Sequence, residues 1–127
     1  MGISRLDHAN LRTRQLDRMI AWYTEILGFK QGWRPDFGFP GAWMYCGDDA
    51  LVHLVHEDDA QPAGDNLSLE HVAFSATGKA EFAALLEKHG EKCKRVVVPG
   101  AGIEQFNIWD PDGNHLHIDF REDEAAD

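Results

Sequence analysis

Four of the seven histidines, His8, His53, His71 and His117, lie within the short stretches LDHANL, LVHLV, LEHVAF and HLHID. Imidazole ligates zinc, iron, nickel and copper, and it titrates near neutrality. Several imidazoles on neighbouring strands would hold a divalent ion. One alone on a half-buried strand is more often a hydrogen-bonded bystander. The other three histidines stand apart. His56 falls near a strand end and His89 near a helix end, where a cation suits the dipole. His115 shares a face with His117 but sits next to a turn, which suits contact with a substrate or support of a ligand.

The elements that must position these residues come twice. SRLDHANLRT alternates, with Leu6, His8 and Asn10 on one face, and predicts a strand. RQLDRMIAWYTEILGFK carries Leu16, Met19, Ile20, Tyr23, Ile26 and Leu27 at helical spacing, with Thr13 as N-cap and Gly28 as the stop. GFKQGWRPDF, GAWMYCG and DALVHLVHE predict three strands separated by turn residues. After the turn-rich DDAQPAGDNLS the pattern restarts. LSLEHVAFSA predicts a strand, and GKAEFAALLEKHGEK a helix with Phe82, Leu85 and Leu86 inward and Gly90 as its stop. CKRVVVPG, GIEQFNIWD and NHLHIDF predict three more strands, the last entered through the turn DPDG.

The halves also match residue by residue. LDHANL and LEHVAF start 63 positions apart, Gly28 and Gly90 are 62 apart, and His53 and His117 are 64 apart. A near-constant offset over strands and helices is the mark of an internal duplication. The expected fold is therefore α+β. Two βαβββ modules in tandem form a curled, cavity-bearing mixed sheet with the helices outside. The boundaries are a single domain over 1–127, with module one at 4–56, a linker at 57–67, module two at 68–121 and a frayed tail at 122–127. The duplication puts one histidine of each half in its first strand and another in its last, so four imidazoles are expected to converge. Strand alternation supports a shared lining. Leu116, Ile118 and Phe120 form an apolar face for the helices, while His115, His117 and Asp119 share the mixed face.

Bulk composition excludes some partners. A formal charge of −10 repels nucleic-acid phosphates and anionic lipid. Its simplest meaning is a solvated surface; the sharper one is an acidic groove for a cationic ligand. No stretch approaches the roughly 20 apolar residues of a membrane span, and MGISRLDHAN lacks the apolar core of a signal peptide. Two cysteines, Cys46 and Cys93, are too few for a disulfide framework, which sets a reduced, cytoplasmic location as the expectation.

LDHANLRTRQLDRMIAWYTEILGFK resembles the opening of the glyoxalase/bleomycin-resistance/extradiol dioxygenase proteins, the vicinal oxygen chelate superfamily. LEHVAFS resembles the start of their second unit, and FNIWDPDGNHLHIDF their closing signature. The resemblance implies a divalent metal (Fe, Zn, Ni or Mn) chelating vicinal oxygens of a small-molecule substrate, with dioxygenase or lyase/isomerase chemistry. The places of the four glyoxalase I ligands are held by His8, His53, His71 and His117. Those of the three-ligand dioxygenases and fosfomycin-resistance transferases are held by His8, His71 and His117. Proteins of this type are often dimers, so a homodimer is expected.

One departure carries chemical weight. His117 stands where the family usually has glutamate. A metal-bound carboxylate can also take a substrate proton, whereas a ligating imidazole is a poor substitute as base. An all-histidine site also leaves the ion's charge uncancelled and favours an anionic chelating substrate. The candidate bases are Asp119, on the face of His117, and Glu104, if its strand is turned inward. Glu70 is expected to point away, as the neighbour of His71. Arg12 matches an arginine that holds the glutathione carboxylate in glyoxalase I, and a surface ion pair would explain it equally. Asn10, on the face of His8, and His115 are further substrate-binding candidates. Trp33, Phe37, Phe39 and Trp43 form either an aromatic rim over a flat substrate or ordinary packing. Trp22 and Trp109 are expected in the core or at an interface.

Three readings compete. The first is a metalloenzyme. The second is a non-catalytic module of the bleomycin-resistance type, which sequesters a cationic drug and which the acidity and aromatic rim would suit. The third is a structural relic that keeps its histidines for packing.

Overall fold

The computed structural model describes residues 1–124. The chain divides into two compact units, Met1–Pro62 and Ala63–Asp127. The division falls inside the turn-rich segment at 57–67.

The first unit runs β1 (Ala9–Thr13), α1 (Leu16–Glu25), β2 (Lys30–Gly32), β3 (Gly41–Cys46) and β4 (Asp49–His56). Its four strands form one mixed sheet in the order β1-β4-β3-β2. β1 runs parallel to β4, while β4, β3 and β2 are successively antiparallel. The periodicity of α1 sends Met19, Trp22 and Tyr23 onto the sheet, where they meet Ala42, Met44, Val52 and Leu54 in the buried core. Burial of each such large side chain contributes about 1.5–3 kcal/mol. Thr13 is not the N-cap but lies two residues before it: its Oγ1 accepts the Gln15 N–H at 3.0 Å, and Gln15 is the N-cap. Gly28 ends the helix with φ +73°, a left-handed conformation costly for any other residue.

The second unit repeats this plan with β5 (Val72–Ser75), α2 (Lys79–Lys88), β6 (Lys94–Val98), β7 (Ile103–Trp109) and β8 (His115–Arg121). The sheet order is β5-β8-β7-β6, with β5 parallel to β8. Phe82 of α2 packs on Phe106 and Phe120 at ring distances of 5.8 Å each. Leu116, Ile118 and Phe120 are buried on this face, as alternation requires. The α+β class and the tandem βαβββ modules are thus present, as two four-stranded mixed sheets.

Three local features differ from expectation. β1 and β5 start at Ala9 and Val72, so His8 and His71 precede the paired strands. Residues 122–124 are held: Glu122 N donates to Gly102 O at 2.8 Å, and the Glu124 carboxylate accepts from Gly78 N (3.3 Å) and Lys79 N. This caps α2, whose own N-cap, Gly78, has no side chain to do so. The rest of the tail expected to fray, 125–127, lies outside the described residues. Third, Trp109 stacks on His115 at 5.1 Å, on the histidine side of its sheet. No described helix is long and apolar enough to cross a membrane.

Candidate functional site

In the first unit, parallel pairing of β1 with β4 sets Asn10 beside His53, and antiparallel pairing sets Trp43 of β3 on the other side. Three rings then stack in a row. His8 lies on His53 with centroids 3.8 Å apart and planes 8° from parallel, and His53 lies on Trp43 at 4.0 Å and 14°. His53 is 8% exposed. Its Nε2 donates to Ala50 O at 3.1 Å, so its lone pair resides on Nδ1. Burial, then the charge of His8, lowers the pKa of His53 below the usual imidazole value. His8 Nδ1 meets Asp7 Oδ1 at 2.8 Å, and this hydrogen bond holds the Asp7 carboxyl below its ordinary pKa.

A cavity of about 540 Å³ opens beside His8 and His53, lined by Phe37, Trp43 and Tyr45 together with Asp7, Asp48 and Arg5. Trp33 meets Trp43 edge-on at 5.9 Å, and Phe37 stacks on Phe39 at 5.5 Å. The Arg34 guanidinium lies over both phenylalanines, at 4.9 and 5.1 Å. Trp33 is 72% exposed, so this aromatic group is a surface rim rather than core. Asn10 and Arg12 are exposed on β1.

In the second unit the equivalent histidines stack the same way, with Asn107 at the place of Trp43. His71 lies on His117 with centroids 3.7 Å apart and planes 11° from parallel. His117 is 7% exposed, and its Nδ1 is buried with no hydrogen-bond partner. Burial, then the neighbouring His71 and His115, lowers its pKa. Glu70 is turned toward the histidines rather than away: Oε1 contacts His71 Nδ1 at 2.8 Å, and Oε2 contacts His115 Nδ1 at 2.5 Å. Those bonds, to His115 and then His71, lower the Glu70 pKa. Candidate ligand atoms of Glu70, His71, His115 and His117 all lie within 4.8 Å of one another.

The two candidate bases have different surroundings. Asp119 shares the mixed face of β8, next to Ser75 and Gln105, and its Oδ1 is buried without a hydrogen-bond partner. Glu104 is taken up by cations: it accepts from Arg95 Nε at 2.8 Å and Nη2 at 3.0 Å, and from Lys79 Nζ at 3.1 Å. Arg95 above all, with Lys79, lowers its pKa despite burial, which makes it a weak base. Cys46 and Cys93 are free thiols, and burial raises the pKa of Cys93.

The donor set suits a divalent metal. Imidazoles and a carboxylate are ordinary ligands, and the orphaned His117 Nδ1 is a buried polar atom in want of a partner. The stacking qualifies this. A nitrogen lone pair lies in its ring plane, so parallel rings send their lone pairs alongside one another. Both members of a pair reach one ion only after a ring turns. Sequence reasoning missed Glu70 as a partner of these rings, although LDH and LEH repeat an acid before the histidine.

The family model described as Glyoxalase/Bleomycin resistance protein/Dioxygenase superfamily matches residues 5–118. A lactoylglutathione lyase of Salmonella typhimurium is 28% identical over 123 residues, covering 90% of each chain. Glyoxylase I 4 of Arabidopsis thaliana is 26% identical over 125 residues, covering 93% of this chain and 71% of the other. The crystal structure of a glyoxylase/bleomycin resistance protein/dioxygenase domain from Frankia sp. EAN1pec superposes with a TM-score of 0.79 at 22% identity, covering 94% of this chain and 99% of that one. At that identity the likeness is one of fold.

Proposed function

The chain belongs to the glyoxalase/bleomycin resistance protein/dioxygenase superfamily, and from that membership we propose that it is a metal-dependent enzyme acting on a small substrate with two adjacent oxygens. The lactoylglutathione lyase relatives favour lyase or isomerase chemistry over oxygenation. The observation that carries the reading is the pairing of an imidazole just before the first strand with one in the last strand, repeated in both units at 3.8 and 3.7 Å.

In this reading the two histidine pairs, His8 with His53 and His71 with His117, serve as ligands to divalent metal (zinc, nickel, iron or manganese). When bound, the ion supplies a Lewis acid that draws electron density from the substrate's paired oxygens and acidifies the adjoining C–H or O–H. The protein's own groups do the rest. Phe37, Trp43 and Trp33 cover a flat or apolar portion of the substrate and exclude water, with Asn10 and Arg12 at the margin. Asp119, whose Oδ1 is buried with no partner, takes the substrate proton; Glu104 is left to its cations. A cytoplasmic homodimer is the expected state.

Elemental analysis of untagged protein, followed by assay against hemithioacetals of 2-oxoaldehydes and against catechols, tests this. Bound metal with turnover of the first class is expected, and the stoichiometry counts the ions these four rings serve. Failure to bind metal even after reconstitution would overturn the enzyme reading. It would favour the binding module, for which the acidic, aromatic-lined cavity of the first unit speaks.

A further inference from the structure

We propose that Asp7 and Glu70, the acidic residues immediately before the first histidine of each unit, are positioning residues that fix the ring orientation and tautomer of His8 and His71. The inference rests on the metal-binding reading above but concerns a property of the metal-free chain.

The same relation occurs twice, 63 residues apart. Asp7 Oδ1 meets His8 Nδ1 at 2.8 Å, and Glu70 Oε1 meets His71 Nδ1 at 2.8 Å. An ionised carboxylate only accepts hydrogen bonds, so Nδ1 of each ring carries the proton and the lone pair is left on Nε2. A carboxylate on the far nitrogen is the usual means of orienting a ligating imidazole and raising its basicity. Both acids are exposed, and exposed pairs of this kind contribute little to stability. Holding the fold together is therefore a poor account of why both halves keep the arrangement.

Alternation within a pleated strand would place neighbours on opposite faces. Here β1 and β5 begin only at Ala9 and Val72, one residue after each histidine. The acid and the imidazole therefore both lie in unpaired chain, where the acid can fold back onto its neighbour.

The second unit adds a brace. Glu70 Oε2 meets His115 Nδ1 at 2.5 Å, His115 Nε2 meets Asn107 Oδ1 at 2.9 Å, and Asn107 Nδ2 donates to Lys94 O at 2.9 Å. The Lys94 carbonyl can only accept, so it fixes which end of the Asn107 amide faces His115. That end is the oxygen, and His115 Nε2 must donate to it. Both ring nitrogens of His115 are thereby engaged. Although it stands among possible metal donors, His115 faces a protein partner with each ring nitrogen and is placed to hold Glu70 in position. His71 is thus the more tightly preset of the two first-strand ligands.

Nitrogen-15 NMR of the histidine rings in metal-free protein, combined with zinc titration against a competing chelator, tests the proposal. The parent should show Nδ1–H at His8 and His71. Glu70→Ala should abolish that preference at His71 and weaken zinc binding about 10–100-fold, with an unchanged melting temperature. Glu70→Gln, whose amide oxygen still accepts, should restore most of both. His115→Ala should fall between, and Asp7→Ala should act on His8 alone. The proposal is overturned if Glu70→Ala leaves the His71 tautomer unchanged, whether zinc binding stays (a bystander) or falls (a ligand in its own right). If the parent fails to bind zinc yet shows the locked tautomers, the positioning stands and the metal-dependent function falls.

Discussion

The imidazole of His117 lies flat on that of His71, 3.7 Å between centroids and 11° from parallel, with its own Nδ1 buried and unpartnered. The pair joins the residue just before β5 to β8, and is repeated by His8, just before β1, and His53 of β4. Because the rings of a pair touch, substitutions in them will not act independently. His117→Ala should lower zinc affinity at least about 100-fold, the upper end of what even an orienting partner is worth. Adding His71→Ala should cost less than the same change in the parent. Chelator competition on the two single variants and the double variant reads this directly.

Acidification below pH 6.5 should destabilise the metal-free protein. His53 and His117 both have pKa values lowered from 6.5, chiefly by burial. In that case the unfolded chain takes up protons that the folded chain refuses. Stability is therefore full above pH 6.5 and declines as pH falls toward the depressed folded values. Melting temperatures across this window should drop, and the slope should flatten in a His53→Gln/His117→Gln variant. A slope unaffected by both substitutions would show that these rings are not the titrating groups.

Glu104 provides a test that separates fold from chemistry. Lys79 has a side chain only 3% exposed and relies on Glu104 and the Glu122 carbonyl. Glu104→Gln would leave that ammonium without its counter-charge and should cost about 3–5 kcal/mol, seen as a lower urea midpoint. Turnover by the folded fraction should stay near the parent value, whereas Asp119→Asn should reduce kcat by about 100-fold or more. The reverse pattern would make Glu104 the base.

Gly41→Ala should destabilise the first unit. An added Cβ would stand 2.5 Å from Leu54 O and 2.7 Å from Arg34 Nη2. The guanidinium can move but the backbone oxygen cannot do so without disturbing the β3–β4 ladder. A cost of about 1–3 kcal/mol is expected, measured by thermal melting.

Much of this was legible in the sequence because duplication shows in offsets and offsets survive divergence. The 63-residue spacing between LDHANL and LEHVAF reappears as the spacing between β1 and β5, and the parallel first-to-last pairing sets each histidine pair side by side. Alternation located the apolar face of Leu116, Ile118 and Phe120 for the same reason: those residues are in a paired strand. It misplaced Glu70 because pleating governs side-chain direction only where the ladder exists, and the ladder begins at Val72. The ion pairs of Glu104 were hidden too, since Lys79 approaches it from 25 residues away through tertiary packing. The capping carboxylate of α2 lies 45 residues downstream of Lys79, beyond the reach of any local rule for helix ends.

That remote cap bears on the order in which the polypeptide can finish folding. Gly78 and Lys79 are synthesised 46 and 45 residues before Glu124, so the first turn of α2 is made before the carboxylate that caps it. Its leading end becomes complete only once residue 124 has been made. Any fusion or truncation that disturbs residue 124 would leave a helix more than forty residues upstream unfinished.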